Sequence, residues 1–298
     1  MFSEKSEIAI IGAGKIAYSL TSALTNAGYK IACIISRNKK SAKSLADKFN
    51  IPGYSANLNS ISKKIKIFFL TVPDREIKNT ADILSRLEIN FKNSLFIHVS
   101  GALDINELSS LKKKKANVGS FHIMQTFPSK KIVEITGSSA AIETNNKIAE
   151  EYLLNLAENL KLNPFKLNSD KKIFYHLAGV YASNFLVGNS FIAEELFSLT
   201  KPGKDFYSVY SNTIKSTLEN IRNSGSLNAL SGPVERGDYE TINKHIGALR
   251  KNRKLLLNYI VQSLNLIKVI KRRKHLNSGQ KKINKLLKDE LKKTLNVG

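Results

Sequence analysis

Apolar and polar positions follow two regimes along the chain. Glu7 to Ile11 (EIAII) is a short apolar run that meets Gly-Ala-Gly and then KIAYSLTSALTNAG, a helix-compatible stretch that stops at Gly28. The order is strand, tight turn, helix, helix stop. A second apolar run, Ile31–Ile35, leads into polar SRNKK, and Ser41–Phe49 again reads as helix, so the first fifty residues spell a βαβ unit. Further runs at Ile65–Leu70, Leu95–Val99 and Val118–Phe121 are separated by helix-length segments, and a weaker strand signal follows at Ser138–Ile142. This pattern predicts an α/β fold with a doubly wound parallel sheet. Beyond about Lys166 strand-like runs give way to long helical patterns over Lys171–Leu199, Phe206–Asn223 and Tyr239–Leu266. Turn-rich breaks interrupt them at Lys201-Pro202-Gly203-Lys204 and Ser231-Gly232-Pro233. The expected organisation is a sheet domain over residues 1–167 and an all-helical domain over residues 168–298, ending in a basic tail.

Composition narrows the classes. With 298 residues and 42% hydrophobic side chains, the chain can fill real cores. A single cysteine, Cys33, excludes an intramolecular disulfide, the opening MFSEKSEIAI lacks the order of a signal peptide, and no apolar run approaches the ~18 residues of a spanning helix. These features point to a reducing cytoplasm and no membrane. The net charge of +23 raises the question of nucleic acid. The lysines are nevertheless scattered through every segment beside abundant Asn and Ile, a coding bias more than a designed patch, so a nucleic-acid partner is not expected. The stretch Lys271–Gly298 is the exception: leucines and isoleucines at helical spacing among its lysines predict an amphipathic helix, solvated or facing a partner.

The chemistry begins at Gly12-Ala13-Gly14-Lys15-Ile16-Ala17, a G-x-G-x-x-A loop between strand and helix. Gly12 allows the tight turn, Gly14 lets a pyrophosphate approach the backbone, and Ala17 permits close helix packing. The helix N-terminus, with Lys15 and Ile16, offers free N–H groups to the phosphates. The sheet domain is therefore expected to be a dinucleotide-binding Rossmann domain. At the end of the second strand, where an NAD site places an acid, the chain has Ser36-Arg37-Asn38. A hydroxyl and a guanidinium suit a 2′-phosphate, so the cofactor expected is NADP(H).

Four ordered segments then carry a family resemblance over nearly the whole chain: HVSGAL (His98–Leu103), FHIMQTF (Phe121–Phe127), YHLAGVYASNF (Tyr175–Phe185) and SGPVERGD (Ser231–Asp238). In these the chain resembles Rossmann-like proteins with a DUF2520 C-terminal domain. That family is similar to F420-dependent NADP oxidoreductases, pyrroline-5-carboxylate reductases and 6-phosphogluconate-dehydrogenase-like enzymes, and some members resemble alternative ketopantoate reductases. The resemblance implies a helical domain like that of 6-phosphogluconate dehydrogenase, dimerisation through it, and a substrate cleft bordered by the FHIMQTF motif. The chain departs from the family at His122-Ile123, where His-Pro is usual, which implies a less rigid turn.

Candidate site residues follow from both readings. Thr71, Val72 and Pro73, and Ser100 in the next βα loop, stand where strand patterns end, at the rim where such sheets bind ligands, and are expected to line the cofactor's nicotinamide ribose. His122 and Gln125 lie past a later strand on the same rim. On the first helix of the second domain, at 100° per residue, Ser183 falls about 20° and Asn184 about 80° from His176, so one broad face carries three polar groups. By the resemblance, a polar or cationic residue and an Asn of this helix hold and polarise a substrate carbonyl. The lysine usual there is missing at the matching turn unless His176 replaces it. Arg236 either forks onto a substrate carboxylate or pairs with Asp238 in a clamp at a helix start, the structural role being favoured for Asp238. Cys/His clusters with metal spacing and the G-x-S-x-G elbow are both lacking in the sequence, so no metal is expected.

The function expected is NADPH-dependent reduction of a small carbonyl, a 2-oxo acid of the ketopantoate type, with His176, Asn184 and His122 as catalytic residues and Gln125, Ser183 and Arg236 on the substrate. The alternatives are an imine such as pyrroline-5-carboxylate, or a non-catalytic NADP-binding sensor or scaffold. Large apolar residues at Phe191, Leu196, Phe197, Tyr207 and Tyr210 point to a homodimer.

Overall fold

A computed structural model describes residues 2–201 and 203–296, which form two compact units, Met1–Phe191 and Ile192–Gly298. Pro202 of the expected break and the last two residues of the basic tail lie outside the described residues.

The first unit is built on one sheet. Among the described residues it has eight strands: β1 (Ile8–Ile11), β2 (Ile31–Ile35), β3 (Gly53–Ser55), β4 (Ile67–Leu70), β5 (Leu95–His98), β6 (Asn117–Ile123), β7 (Ser139–Thr144) and β8 (Asn163–Lys166). Their order is β3-β2-β1-β4-β5-β6-β7-β8, and the first six pair in parallel. The sheet is thus Rossmann-like and parallel-dominated, as the apolar runs predict. It is not parallel throughout. β7 runs antiparallel to β6, because the two are joined by the segment 124–138 without a helix, and antiparallel neighbours need no helical crossover. β3 and β8 escape the sequence pattern because both are edge strands. Gly53–Ser55 has three residues, and Asn163–Lys166 is mostly polar and carries Pro164, which an edge tolerates.

Helices α1 (Lys15–Asn26), α2 (Lys39–Lys48), α3 (Asp74–Leu84), α4 (Ser109–Lys113) and α5 (Lys147–Asn159) connect the strands. Apolar residues of α1, α2 and α5 pack with Ile8, Ile10, Ile34 and Phe121 on one face, and those of α3 and α4 with Ala9, Phe68, Phe96 and Val118 on the other. Both sheet faces are covered, so β1, β4 and β5 are buried at every position and show no alternation, and His98 at the end of β5 is their one polar residue. The order reverses between β1 and β4, which opens a crevice at their carboxyl ends. After β8 the chain forms α6 (Lys172–Gly179), a π turn over Val180–Asn184, and α7 (Phe185–Ser198). The sheet-bearing unit takes in α6 and part of α7 and so extends past the expected boundary at 167/168. The physical reason is that side chains of α6 are anchored on the sheet.

In the second unit the helices are α8 (Phe206–Asn228), α9 (Pro233–Arg236), α10 (Tyr239–Leu249), α11 (Arg253–Arg273) and α12 (Ser278–Asn296). The single helix expected over Tyr239–Leu266 is two. Asn252 interrupts it, its side chain accepting from the Leu255 N–H and so starting a new helix. The basic tail is helical in the end of α11 and in α12, and much of the apolar face of α12 is packed inside the unit, with Leu295 left exposed. Ile283 and Leu287 of α12 are fully buried with Val234, Ile242, Ile246, Ile260, Ile267 and Ile270. Leu287→Ala should therefore cost about 2–5 kcal/mol, the range for a truncated core leucine, and lower the urea midpoint of the helical signal. A midpoint equal to that of wild type would return α12 to solvent.

Candidate active site

The glycine loop is positioned by Thr71. At φ +114°, Gly12 adopts a backbone that other residues resist, and a Cβ there would stand 2.6 Å from the carbonyl carbon of Thr71. The Thr71 hydroxyl donates to the Gly12 carbonyl at 2.8 Å and its N–H to the Ile11 carbonyl, so β4 is stitched to the loop. This work inside the chain, with 3% exposure, occupies the Thr71 side chain expected to meet a ribose. No side chain caps α1 and its first turn has no acid, which leaves the terminal N–H groups and the positive dipole end to an anion. A cleft of ≈ 290 Å³ begins there and is lined by Gly12, Gly14, Ser36, Arg37, Val72 and Pro73 among others. Lys15 is exposed at the start of α1, and Ile16 is half-buried against the core. These residues fit a dinucleotide carrying a 2′-phosphate: a close-approach glycine, a free helix terminus, and a guanidinium and hydroxyl at the end of β2.

Ser100 turns its side chain inward. It is 4% exposed, donates to Asp74 Oδ2 at 2.7 Å and accepts from the N–H groups of Ala102 and Leu103. It closes its own turn onto α3 and does not offer a free hydroxyl to a ribose. His98 is likewise internal. Its Nδ1 accepts from the Ser100 N–H, which leaves Nε2–H to donate to the Asp104 carbonyl. Complete burial, reinforced by the Lys172 charge, lowers its pKa to about 3.

Directly paired residues share a face, so His98, Ser120 and Glu143 form a row across β5, β6 and β7, and His122 lies two residues beyond Ser120 on the same face. Onto this row α6 lowers Lys172, Tyr175 and His176, the i, i+3 and i+4 positions of one helical face. Lys172 is 2% exposed; its ammonium donates to Ser120 Oγ at 2.5 Å and stands 3.4 Å from Glu143 Oε2. The other Glu143 oxygen accepts from Ser169 Oγ and from the Ile105 N–H. Burial lowers the Lys172 pKa, and Glu143 opposes that shift. Removing one partner of such a pair typically costs about 3–5 kcal/mol, because the other charge is left dry and uncompensated.

His122 Nδ1 and the Tyr175 hydroxyl share a hydrogen bond of 2.8 Å. The ring lies so close to Gly101 that a Cβ there would meet Nε2 at 2.7 Å, which explains the glycine of HVSGAL by contact with a histidine. Burial, followed by the charges of Lys172 and His176, lowers the His122 pKa to about 4, and burial raises that of Tyr175 to about 12. The departure at Ile123 does not loosen a turn: Ile123 is the last residue of β6, paired with Ala140 and 1% exposed.

Gln125 is exposed past β6, its side-chain oxygen accepting from the Thr126 N–H. His176 is half-buried on α6, and Asn184 is exposed. The shared face expected of His176, Ser183 and Asn184 requires an unbroken α-helix, which this segment is not. The π turn over Val180–Asn184 advances less per residue, roughly 80°, bringing Asn184 to within roughly 20° of His176 and carrying Ser183 roughly 90° away. Arg236 lies in the second unit, exposed, with no ion pair among the described residues. Asp238 is the cap of α10, accepting from the Thr241 N–H and hydroxyl, which hold its carboxyl below the usual range. Among the described residues no cluster could hold a metal ion, and no helix is long and apolar enough to cross a membrane.

Lys172 is the residue that sequence reasoning missed. Its signal was present as the i−4 neighbour of His176, but it stands in the doublet Lys171-Lys172 of a chain rich in lysine. Only the structure separates the two, since Lys171 is exposed and pairs with Asp170.

Comparison with known proteins agrees with this geometry. Residues 7–100 match the family described as NADP oxidoreductase, coenzyme F420-dependent, and residues 138–265 match the domain of unknown function DUF2520. The chain carries an NADP oxidoreductase domain followed by DUF2520. It is by that composition an NADP-dependent oxidoreductase. A protein of Bacteroides fragilis assigned as an NADP oxidoreductase is 25% identical, with a TM-score of 0.75, over 88% of this chain and 98% of its own. A Thermotoga maritima protein at 24% identity has a TM-score of 0.69 over 90% and 100% of the two chains. The 1-pyrroline-5-carboxylate reductase of Streptococcus pyogenes, 14% identical, shares the fold with a TM-score of 0.60 over 88% and 99%. No curated protein gives a significant match.

The histidines give the site a pH signature. Their folded pKa values, about 3 for His98 and about 4 for His122, lie below the unfolded value near 6.5. Between these limits the unfolded chain binds more protons, so stability rises with pH there. The contribution is complete above about pH 6.5 and is lost as pH falls toward 4 and 3. Thermal melts should show Tm dropping over that window, less so in His122→Asn; a Tm flat from pH 7 to 4 would contradict the burial of both rings.

Proposed function

We propose that this oxidoreductase reduces a small carbonyl compound with NADPH, a 2-oxo acid of the ketopantoate type being the first to assay. The observation that carries the reading is the cluster of His122, Tyr175 and Lys172 at the carboxyl ends of the strands that follow the glycine loop in the same sheet. When bound, NADPH supplies the hydride. Gly12, Gly14 and the α1 N-terminus hold its pyrophosphate, and Ser36 and Arg37 its 2′-phosphate. His176 and Asn184, brought into line by the π turn, hold and polarise the carbonyl oxygen. His122, kept neutral, shares a proton with Tyr175 and passes it toward the forming alkoxide, while the Lys172 ammonium keeps fixed positive charge behind them. Gln125, exposed just past β6, adds to the polar lining.

Purified protein mixed with NADPH and a panel of 2-oxo acids and cyclic imines tests the reading through loss of NADPH absorbance. Consumption with a 2-oxo acid is expected; turnover with imines alone moves the assignment to an imine reductase, and none at all favours a non-catalytic NADP-binding protein. With the true substrate, His176→Ala and Asn184→Ala should each lower kcat tenfold or more while NADPH affinity stays near wild type.

A homodimer belongs to the same proposal. Of the side chains of α8 only Phe206 is buried, while Tyr207, Val209, Tyr210, Leu218 and Ile221 are exposed, as are Phe191 and Leu196 of α7. Apolar surface of that extent on long helices is characteristic of an interface, and a second copy of the chain is the occupant proposed. Light scattering at micromolar concentration should give twice the chain mass; a single 33 kDa species would exclude the dimer.

A further inference from the structure

We propose that Glu76 sets how strongly this enzyme prefers the phosphorylated dinucleotide, by competing for Arg37 in the cofactor cleft. The inference rests on the reading of that cleft as the NADP site. Arg37 and Glu76 line the same cleft, with Ser36 and Ser41 beside them. Arg37 Nη1 stands 3.5 Å from Glu76 Oε2, the arginine side chain being mostly exposed and the glutamate about three-quarters covered. Glu76 belongs to the first turn of α3, its N–H bonded to the Pro73 carbonyl, so its backbone is held where the helix N-terminus favours an acid.

Two consequences follow from that placement. A 2′-phosphate entering beside Ser36 meets a guanidinium that already faces a carboxylate. The planar fork of Arg37 serves one anion well, so the phosphate must displace Glu76 and then bear its negative charge nearby. A dinucleotide with a free 2′-hydroxyl meets the opposite situation. It lacks the group Arg37 would grip, but it can donate to the Glu76 carboxylate, the acceptor that the end of β2 does not provide. Glu76 thus weakens NADPH binding and supports NADH binding, acting on both sides of the selectivity ratio from a helix outside the strand end where that choice is ordinarily read.

The test uses the whole protein and the adenosine halves alone, 2′,5′-ADP and 5′-AMP, titrated calorimetrically at low ionic strength into wild type, Glu76→Gln and Arg37→Asp. NADPH and NADH are titrated by fluorescence in parallel. Glu76→Gln should bind 2′,5′-ADP and NADPH about three- to tenfold tighter, the scale of a lost partly exposed ion pair and a relieved repulsion, with 5′-AMP and NADH somewhat weaker. The gain should shrink as salt is added. Arg37→Asp should abolish the wild-type preference. If wild type prefers 2′,5′-ADP, Arg37→Asp removes that preference and Glu76→Gln leaves the ratio unchanged, Glu76 is only a helix-terminal acid and the proposal falls while the cofactor reading stands. If wild type does not discriminate between the two halves and Arg37→Asp changes nothing, the assignment of the cleft is wrong and the proposal falls with it.

Discussion

One ammonium group held almost dry against a sheet organises the candidate active site. Lys172 places its charge between Ser120 and Glu143, and a charge so buried persists only when its partners are fixed in place. Ser169 and the Ile105 N–H hold Glu143 from behind, which ties the end of β8 and the turn after β5 to the same point. The anchored lysine then determines where α6 starts, and so where Tyr175 and His176 point. Its field also disfavours protonation of His98 and His122, adding to the effect of burial. A neutral imidazole beside a tyrosine hydroxyl can accept or release a proton, which an imidazolium locked by a carboxylate does less readily.

The cofactor half obeys a different constraint, which is backbone contact. Gly12 lies against the Thr71 carbonyl with no room for a Cβ, and the Thr71 hydroxyl closes the gap from the other side. Shape, not charge, sets this part of the site, leaving free N–H groups on α1 for an anion. The two halves meet through Ser100 and Asp74, where the turn after β5 is bonded to the start of α3. A displacement of either strand end would therefore be felt on both sides, which is a physical reason for the motif HVSGAL to combine an internal histidine, a turn-closing serine and a glycine that admits the His122 ring.

The sequence by itself determined what depends on local chemistry and period. Apolar runs separated by helix-length segments define six of the strands, because buried parallel strands must be apolar on both faces. The glycine loop and the basic, acid-free end of β2 point to the dinucleotide and to its 2′-phosphate, because the residues suited to those contacts are neighbours in the chain. The helical character of the tail and the capping role of Asp238 were legible for the same reason. Tertiary structure decided whatever depends on distant partners. It made the pair β6–β7 antiparallel, and it hid two edge strands whose polar residues need only one neighbour. It widened one helical turn between His176 and Asn184, which breaks the single face expected of His176, Ser183 and Asn184. It turned the Ser100 and Thr71 hydroxyls inward, because the Asp74 carboxylate and the adjacent turn claimed the first and the carbonyls of the distant glycine loop the second. Above all it separated Lys171 from Lys172: two adjacent, identical side chains point a helical step apart, one into water and one onto Glu143, and no local pattern encodes a difference that arises from a carboxylate on another strand.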